Sequence, residues 1–140
     1  MDFPNFSTTV MPHQDQSDNI YAQPRGSIDR FAFDERVARV FKDMINRSVP
    51  GYQTLLGMLG VFAARYAQDQ THIYDLGCSL GASTLIMRQH IQANCKIVGV
   101  DYSPEMVTRC QQNLLADSGS LDTTILCADI RDLDFEPCSV

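Results

Sequence analysis

Two glycines and two aspartates near the middle of the chain have the types and spacing of a nucleoside-binding site. Asp75 ends a β-branched and aromatic run, and Gly77 and Gly81 follow it closely. Glycines at these positions let the backbone approach a ligand, because they carry no Cβ. Asp101 lies 20 residues beyond Gly81, where a carboxylate can accept hydrogen bonds from both ribose hydroxyls.

A third carboxylate, Asp129, follows a later apolar run. Its side chain could accept a hydrogen bond from an adenine amino group, while the Ile130 N–H donates to a ring nitrogen. Taken singly, residues of these types could simply shape a turn or cap a helix. Carboxylates at the ends of three successive runs favour a ligand site instead.

The elements that must position these carboxylates are alternating strands and helices. Apolar periodicity predicts two leading helices, followed by strand–helix repeats. The predicted bounds are about 33–46 and 52–67 for the leading helices, 72–76, 96–100 and 123–128 for the strands, and 82–92 and 104–116 for the later helices. This alternation predicts parallel strands in the spatial order 3-2-1. Ligands bind such sheets beyond the carboxyl ends of the strands, where the aspartates lie.

The turn sequence distinguishes between classes of nucleotide cofactor. It reads Asp-x-Gly-x-Ser-x-Gly over 75–81, which differs from the G-x-G-x-x-G pattern of dinucleotide-binding proteins. A cofactor without a pyrophosphate therefore fits better, and the acidic residue before the turn suits a cationic cofactor. S-adenosyl-L-methionine meets both conditions, because it carries an ammonium and a sulfonium group.

Composition excludes several other classes of protein. The 140 residues carry a net charge of −6 and are 44% hydrophobic, which suits one globular domain and argues against broad binding to a nucleic-acid backbone. The sequence shows neither an apolar run of membrane-spanning length nor a secretory signal pattern, so we expect a cytoplasmic protein. Residues 1–30 are polar and aperiodic, which predicts a flexible N-terminal arm.

Several other residues are expected to be structural. Five cysteines without a CxxC pair predict buried, reduced thiols. Arg88 and Arg109 are expected to be surface charges on helices. The acidic residues from Asp129 to Asp134 predict a solvated loop, since neither histidine nor glutamate completes a set of metal ligands. The second leading helix is apolar almost all round, which predicts that it is largely buried.

Three segments of the chain resemble one enzyme family. They are Phe33-Asp34-Glu35-Arg36-Val37, Arg47-Ser48-Val49-Pro50-Gly51-Tyr52 and Tyr74-Asp75-Leu76-Gly77-Cys78-Ser79-Leu80-Gly81-Ala82. Together with shorter likenesses from about Asp18 to the last residue, they are similar to carboxy-S-adenosyl-L-methionine synthases. The Asp-x-Gly turn by itself would indicate only a methyltransferase-like protein, and the Arg-Ser-Val-Pro-Gly-Tyr segment makes the resemblance specific.

The resemblance implies an α/β protein with the Rossmann-like fold of S-adenosylmethionine-dependent methyltransferases, with N-terminal helices and a sheet truncated after three parallel strands. Residues 31–140 would form the N-terminal part of that cofactor-binding domain. Family members convert S-adenosylmethionine and prephenate to carboxy-S-adenosylmethionine and phenylpyruvate. A tRNA uridine carboxymethyltransferase uses the product to make 5-oxyacetyl uridine at the wobble position. This protein would therefore be a homodimeric transferase that need not bind tRNA itself.

The resemblance also implies which residues bind the cofactor. They are Tyr52, the loop residues Gly77, Cys78 and Ser79 at the amino-acid end, Asp101 and Tyr102 at the ribose, and Asp129 and Ile130 at the adenine. No residue of the chain matches a catalytic or metal-binding role. The family's asparagine on a fourth strand and its carboxylate-binding arginine would lie beyond Val140. The 140-residue chain by itself is therefore expected to have little synthase activity.

Two alternative functions remain open from the sequence. One is an ordinary S-adenosylmethionine-dependent methyltransferase, which would act without prephenate. The other is a non-catalytic module that binds the cofactor without turnover.

Overall fold

A computed structural model describes residues 35–135 of the chain. The helices are α1 (Glu35–Ser48), α2 (Tyr52–Tyr66), α3 (Ala82–His90) and α4 (Pro104–Ala116), the strands are β1 (His72–Leu76), β2 (Lys96–Asp101) and β3 (Thr123–Cys127), and a 3₁₀ turn spans Ile130–Asp132. All seven predicted elements are present, and their bounds differ from the prediction by at most two residues. The predicted N-terminal arm lies outside the described residues.

The three strands form one parallel sheet in the order β1-β2-β3, as predicted. In the register, Asp75 lies opposite Gly99, and Asp101 lies opposite Cys127. The strands therefore end at the same edge of the sheet, and the residues that follow them are neighbours. This edge carries the predicted ligand site.

Helix α4 begins where the sequence predicts, and its start fixes the end of β2. Ser103 is the N-cap, and its hydroxyl accepts from the Met106 N–H. Pro104 occupies the first helical position, where its missing N–H costs nothing. The buried side of α4 is formed by Met106, Val107 and Cys110, which holds the helix against the sheet.

The core consists of two apolar clusters of buried residues. One cluster is formed by Met87, Ile91, Cys95 and Ile97, with Leu59 and Ala63 of α2 packed against it. The other is formed by Val37, Ala38 and Met106, which joins α1 to α4. Helices α1 and α2 therefore pack on the helices that follow β1 and β2, and both lie close to the loop after β1.

The prediction that α2 is largely buried is wrong for the described structure. Gly60 is the one buried residue of this helix, and the ring of His90 on α3 lies directly against it. The outer face is exposed, with Leu55 at 60% and Phe62 at 49% of full exposure. An apolar pattern all round a helix leads to burial only where neighbours cover every face, and the described residues cover only one.

The expectation that Arg88 is a surface charge is also wrong. Its side chain is 9% exposed and pairs with Asp117, which is 10% exposed, at 2.9 Å. The guanidinium also donates to the carbonyl oxygens of Gly119 and Leu121 and to the Thr123 hydroxyl. Arg88 thus fastens α3 to the loop that leads into β3. A helix position alone cannot reveal a partner 29 residues later.

The described residues contain no helix that is both long and apolar enough to span a membrane.

Candidate functional site

The loop after β1 forms a tight turn and is hydrogen-bonded to the end of β2. Gly77 and Cys78 both donate their backbone N–H groups to the Val100 carbonyl, at 2.8 and 2.9 Å. Gly77, Ser79 and Gly81 all have positive φ, of 84°, 51° and 82°. Glycine adopts this conformation without steric cost, whereas Ser79 adopts it within a turn closed by the bond from Gly81 N–H to the Cys78 carbonyl.

Asp101 connects this loop to the start of α4. One carboxylate oxygen accepts from the Ser79 N–H at 2.9 Å, and the other accepts from the Ser103 N–H at 2.9 Å. A carboxylate has about four lone-pair positions, so two remain for a ligand. The half-buried side chain lines a cavity of about 340 Å³. Asp101 therefore lines the cavity with acceptor positions to spare, and its contact with ribose hydroxyls stays a prediction.

Two cavities flank the loop after β1. The 340 Å³ cavity has apolar walls from Leu76, Tyr102, Ala128 and Ile130, and Asp101 and Asp129 also line it. The second cavity, of about 700 Å³, is lined by Tyr52, Cys78 and Ser83 among others. Phe41, Gly77 and Ser79 line both cavities. The smaller cavity is mainly apolar and contains two carboxylates, whereas the larger cavity has both polar and apolar walls.

Tyr52 is the first residue of α2, and it reaches the larger cavity. Partial burial raises its pKa, and the Asp75 carboxylate raises it further, so the hydroxyl is protonated at neutral pH. A short connection joins α1 to α2, and Tyr52, which directly follows it, lines the cavity.

Asp75 binds two hydroxyl groups that were not predicted from the sequence to belong to the site. Its Oδ2 atom accepts from Ser83 Oγ and Thr84 Oγ1, both at 2.5 Å. These residues lie in the first turn of α3, and Thr84 is completely buried. Asp75 therefore fixes the start of α3 beneath the loop. The sequence does show a serine and a threonine directly after the glycine-rich turn. Their hydrogen bonds to Asp75 could not be predicted from it, because they depend on how the strand and the helix pack.

Two glycines make room for a pair of buried thiols beneath the loop. A Cβ on Gly81 would lie 2.6 Å from Cys110 Sγ, and a Cβ on Gly99 would lie 3.3 Å from Cys78 Sγ. The interaction between the two thiols raises the pKa of Cys78 and lowers that of Cys110. Of the four described cysteines, three are buried and all are unpaired, as predicted, whereas Cys127 is exposed.

Asp129 and Ile130 follow β3 and close one side of the smaller cavity. Both Asp129 oxygens accept from Arg131, through its guanidinium and its backbone N–H. These bonds lower the pKa of Asp129 to about 2, so the group is ionised at neutral pH. No described residue accepts from the Ile130 N–H. Tyr102 is 63% exposed at the opposite rim. Arg131 was not predicted from the sequence, although it stands only two positions after Asp129.

Comparison with known proteins agrees with this geometry. A family model described as a methyltransferase domain matches residues 73–140. Carboxy-S-adenosyl-L-methionine synthases of Shewanella sp. (strain W3-18-1) and Shewanella putrefaciens are each 52% identical over 124 residues, which is 88% of this chain and 51% of theirs.

Sequence similarity thus links this chain to the carboxy-S-adenosyl-L-methionine synthases over 88% of its length. The chain spans about half the length of the curated relatives it matches, 51% in each case. A match over 124 of the 140 residues includes the loop after β1 and Asp101.

Two solved structures share the fold of this chain. A Methanococcus maripaludis protein assigned as an S-adenosyl-L-methionine-dependent methyltransferase superposes with a TM-score of 0.59 at 18% identity, over 79% of this chain and 48% of its own. Magnesium protoporphyrin IX methyltransferase from Synechocystis PCC 6803 gives a TM-score of 0.50 at 19% identity, over 77% and 47%. The three parallel strands and their helices are thus those of a Rossmann-like methyltransferase fold, as predicted.

Proposed function

We propose that this chain forms the S-adenosyl-L-methionine-binding part of a carboxy-S-adenosyl-L-methionine synthase. The observation that carries the proposal is the 52% identity to curated synthases over 88% of the chain. The geometry supports it, because the loop after β1 lines both cavities and the Asp101 carboxylate lines the smaller one. The Synechocystis methyltransferase structure contains bound S-adenosylmethionine, which agrees with the ligand proposed for this chain.

The residues present fit this cofactor. Asp101 would accept from the ribose hydroxyls, and the apolar walls at Leu76 and Ile130 match the faces of an adenine ring. The backbone of Gly77 and Ser79 would pass close to the ligand, since a Cβ on Gly77 would meet open space within 4 Å. Tyr52 would contact the amino-acid end from the larger cavity. The sulfonium group of the bound cofactor makes its methyl protons acidic.

The proposed second substrate is prephenate, which the carboxy-S-adenosyl-L-methionine synthases use. Its ring carboxylate leaves as carbon dioxide, its hydroxyl group leaves with one methyl proton as water, and phenylpyruvate is formed. A new carbon–carbon bond joins the former methyl carbon to the carbon dioxide. We further propose that a tRNA uridine carboxymethyltransferase consumes the carboxymethyl product, that the whole protein is a homodimer, and that it acts in the cytoplasm. The net charge of −6 agrees with a protein that leaves tRNA binding to that partner.

Binding and turnover are tested separately. Calorimetry of the 140-residue polypeptide with S-adenosyl-L-methionine is expected to show one binding site, and no heat of binding would contradict the cofactor assignment. The protein from the complete gene is then incubated with S-adenosyl-L-methionine with and without prephenate. Mass spectrometry is expected to detect the carboxylated cofactor only when prephenate is present.

The same assays separate the two alternatives. An ordinary methyltransferase, which the match of the methyltransferase domain model would also fit, would release S-adenosylhomocysteine with an acceptor and would ignore prephenate. A non-catalytic module would bind the cofactor and release neither product.

A further inference from the structure

Arg131 holds Asp129 in one orientation at the rim of the smaller cavity. Its backbone N–H donates to Asp129 Oδ1 at 2.9 Å, and its Nε donates to the same oxygen at 2.9 Å. Its Nη2 donates to Oδ2. The 3₁₀ turn after β3 adds a bond from the Asp132 N–H to the Asp129 carbonyl, at 3.0 Å. Arg131 therefore holds the carboxylate plane, and the bond from Asp132 holds the backbone of the turn.

The pair leaves room for one more donor. Three N–H groups of Arg131 reach the two oxygens, counting the shared Nε–H once. A carboxylate has about four lone-pair positions. One acceptor position therefore remains on Asp129, which is one-third exposed and lines the cavity.

Arg131 lies beside the cavity and does not occupy it. Its side chain is 83% exposed, and it is not among the residues that line the smaller cavity, whereas Asp129 and Ile130 are. The guanidinium thus approaches the carboxylate from the solvent side. A ligand in the smaller cavity could therefore reach the remaining lone pair of Asp129 without displacing Arg131.

We propose that Arg131 is a positioning residue that makes the site select a 6-amino purine over a 6-oxo purine. The inference rests on the proposed cofactor. A fixed carboxylate accepts from the 6-amino group of adenine and repels the 6-oxo oxygen of hypoxanthine, while the Ile130 N–H suits an unprotonated ring nitrogen. A carboxylate released from Arg131 could turn and accept from the ring N–H of hypoxanthine. The low pKa of Asp129 keeps the acceptor ionised.

The test compares Arg131→Gln and Arg131→Lys with wild type at low micromolar protein. The probes are S-adenosyl-L-homocysteine and its inosine analogue, measured by calorimetry, with melting temperature as the check on folding. Arg109→Gln is the matched control, because Arg109 lines neither cavity. We expect Arg131→Gln to lower the adenosine-to-inosine affinity ratio by about two- to fivefold, the range for an exposed ion pair. Arg131→Lys should retain most of the ratio, since lysine still donates to a carboxylate.

Other results overturn the inference. An equal loss of affinity for both probes in Arg131→Gln would show a merely structural role. A higher affinity for the adenosine probe would show that Arg131 competes with the ligand. Wild type that binds neither probe would overturn the cofactor assignment and this inference together, whereas a normal wild-type preference that survives in Arg131→Gln would overturn only the inference.

Discussion

At the scale of single residues, Asp101 has two tasks in one carboxylate. It orders the loop through the Ser79 N–H and the start of α4 through the Ser103 N–H. Its two remaining lone-pair positions are available to a ligand, and the side chain lines the smaller cavity. A residue that both builds the site and contacts the ligand should affect stability and binding together when it is changed.

We expect Asp101→Asn to weaken binding of S-adenosylhomocysteine about tenfold or more and to lower the melting temperature. The amide can accept at one oxygen only, so one of the two backbone N–H groups loses its acceptor and the other keeps an uncharged one. Calorimetry and thermal melting measure the two effects. Asp122→Asn is the matched control, because Asp122 is 69% exposed and pairs with Lys96 at a distant 3.8 Å. Unchanged affinity in a folded Asp101→Asn protein would remove Asp101 from the binding site.

At the scale of elements, glycines in two different environments allow backbone strain and helix propensity to be measured separately. Gly81 precedes α3 with φ at 82°, and an added Cβ would lie 2.6 Å from the buried Cys110 sulfur. Gly57 lies inside α2 with nothing within 4 Å of an added Cβ. The same substitution should therefore have opposite effects at the two sites.

Gly81→Ala is expected to destabilise the fold by about 2 kcal/mol, from the strained φ and the close contact. Gly57→Ala should stabilise it by about 0.5–1 kcal/mol, because alanine loses less backbone entropy in a helix. Urea denaturation of both variants measures these free energies of unfolding. Equal effects of the same sign would contradict the conformations of the two glycines.

The Arg88–Asp117 pair joins two elements across the outer edge of the fold, and its removal should be costly. We expect Arg88→Met to lose about 3 kcal/mol at pH 7, because Asp117 would remain as a nearly buried, unpaired charge. Urea denaturation tests this, with the surface change Arg109→Met as the control. A loss no larger than that of the control would show that the pair contributes little.

The pH dependence of this pair follows from the pKa of Asp117. The hydrogen bond from Arg88 is the main cause that lowers this pKa below its ordinary value of 3.8. The stabilisation is therefore fully present above that value and is lost as the pH falls through the lowered pKa. The difference in stability between wild type and Arg88→Met should narrow below about pH 4, with equilibrium unfolding across the acid range as the measurement.

At the scale of the whole molecule, apolar surface is exposed at two places. The outer face of α2 exposes Leu55, Met58, Val61 and Phe62. Strand β1 is paired only with β2 among the described residues, so its other edge presents unpaired backbone groups. An apolar helix face and an open strand edge both promote association between chains.

We expect the isolated 140-residue polypeptide to associate as its concentration rises and to melt with low cooperativity. Phe62→Glu should reduce the association without lowering the melting temperature, because Phe62 is 49% exposed. Light scattering and calorimetry measure both. The change Gln53→Glu, which adds the same charge elsewhere on α2, is the control. A sharp melt of a monomer at high concentration would contradict the expectation.

The sequence by itself determined the elements and the strand order. These depend on local causes: apolar periodicity, the Ser103-Pro104 start of α4 and glycines at a turn. Because parallel strands end at one edge, the strand pattern alone was enough to place Asp101 and Asp129 together. The cofactor contacts of the individual residues remain predictions.

Only the tertiary structure decided which neighbours these residues have. In the structure Arg88 is buried, and the outer face of α2 is exposed. Asp75 accepts hydrogen bonds from the hydroxyl groups of Ser83 and Thr84. Arg131 stands beside Asp129 in the sequence, yet its role depends on which side of the carboxylate the guanidinium occupies. Burial and side-chain pairing arise from contacts between segments far apart in the chain, and a local pattern does not show which side chains of those segments will meet.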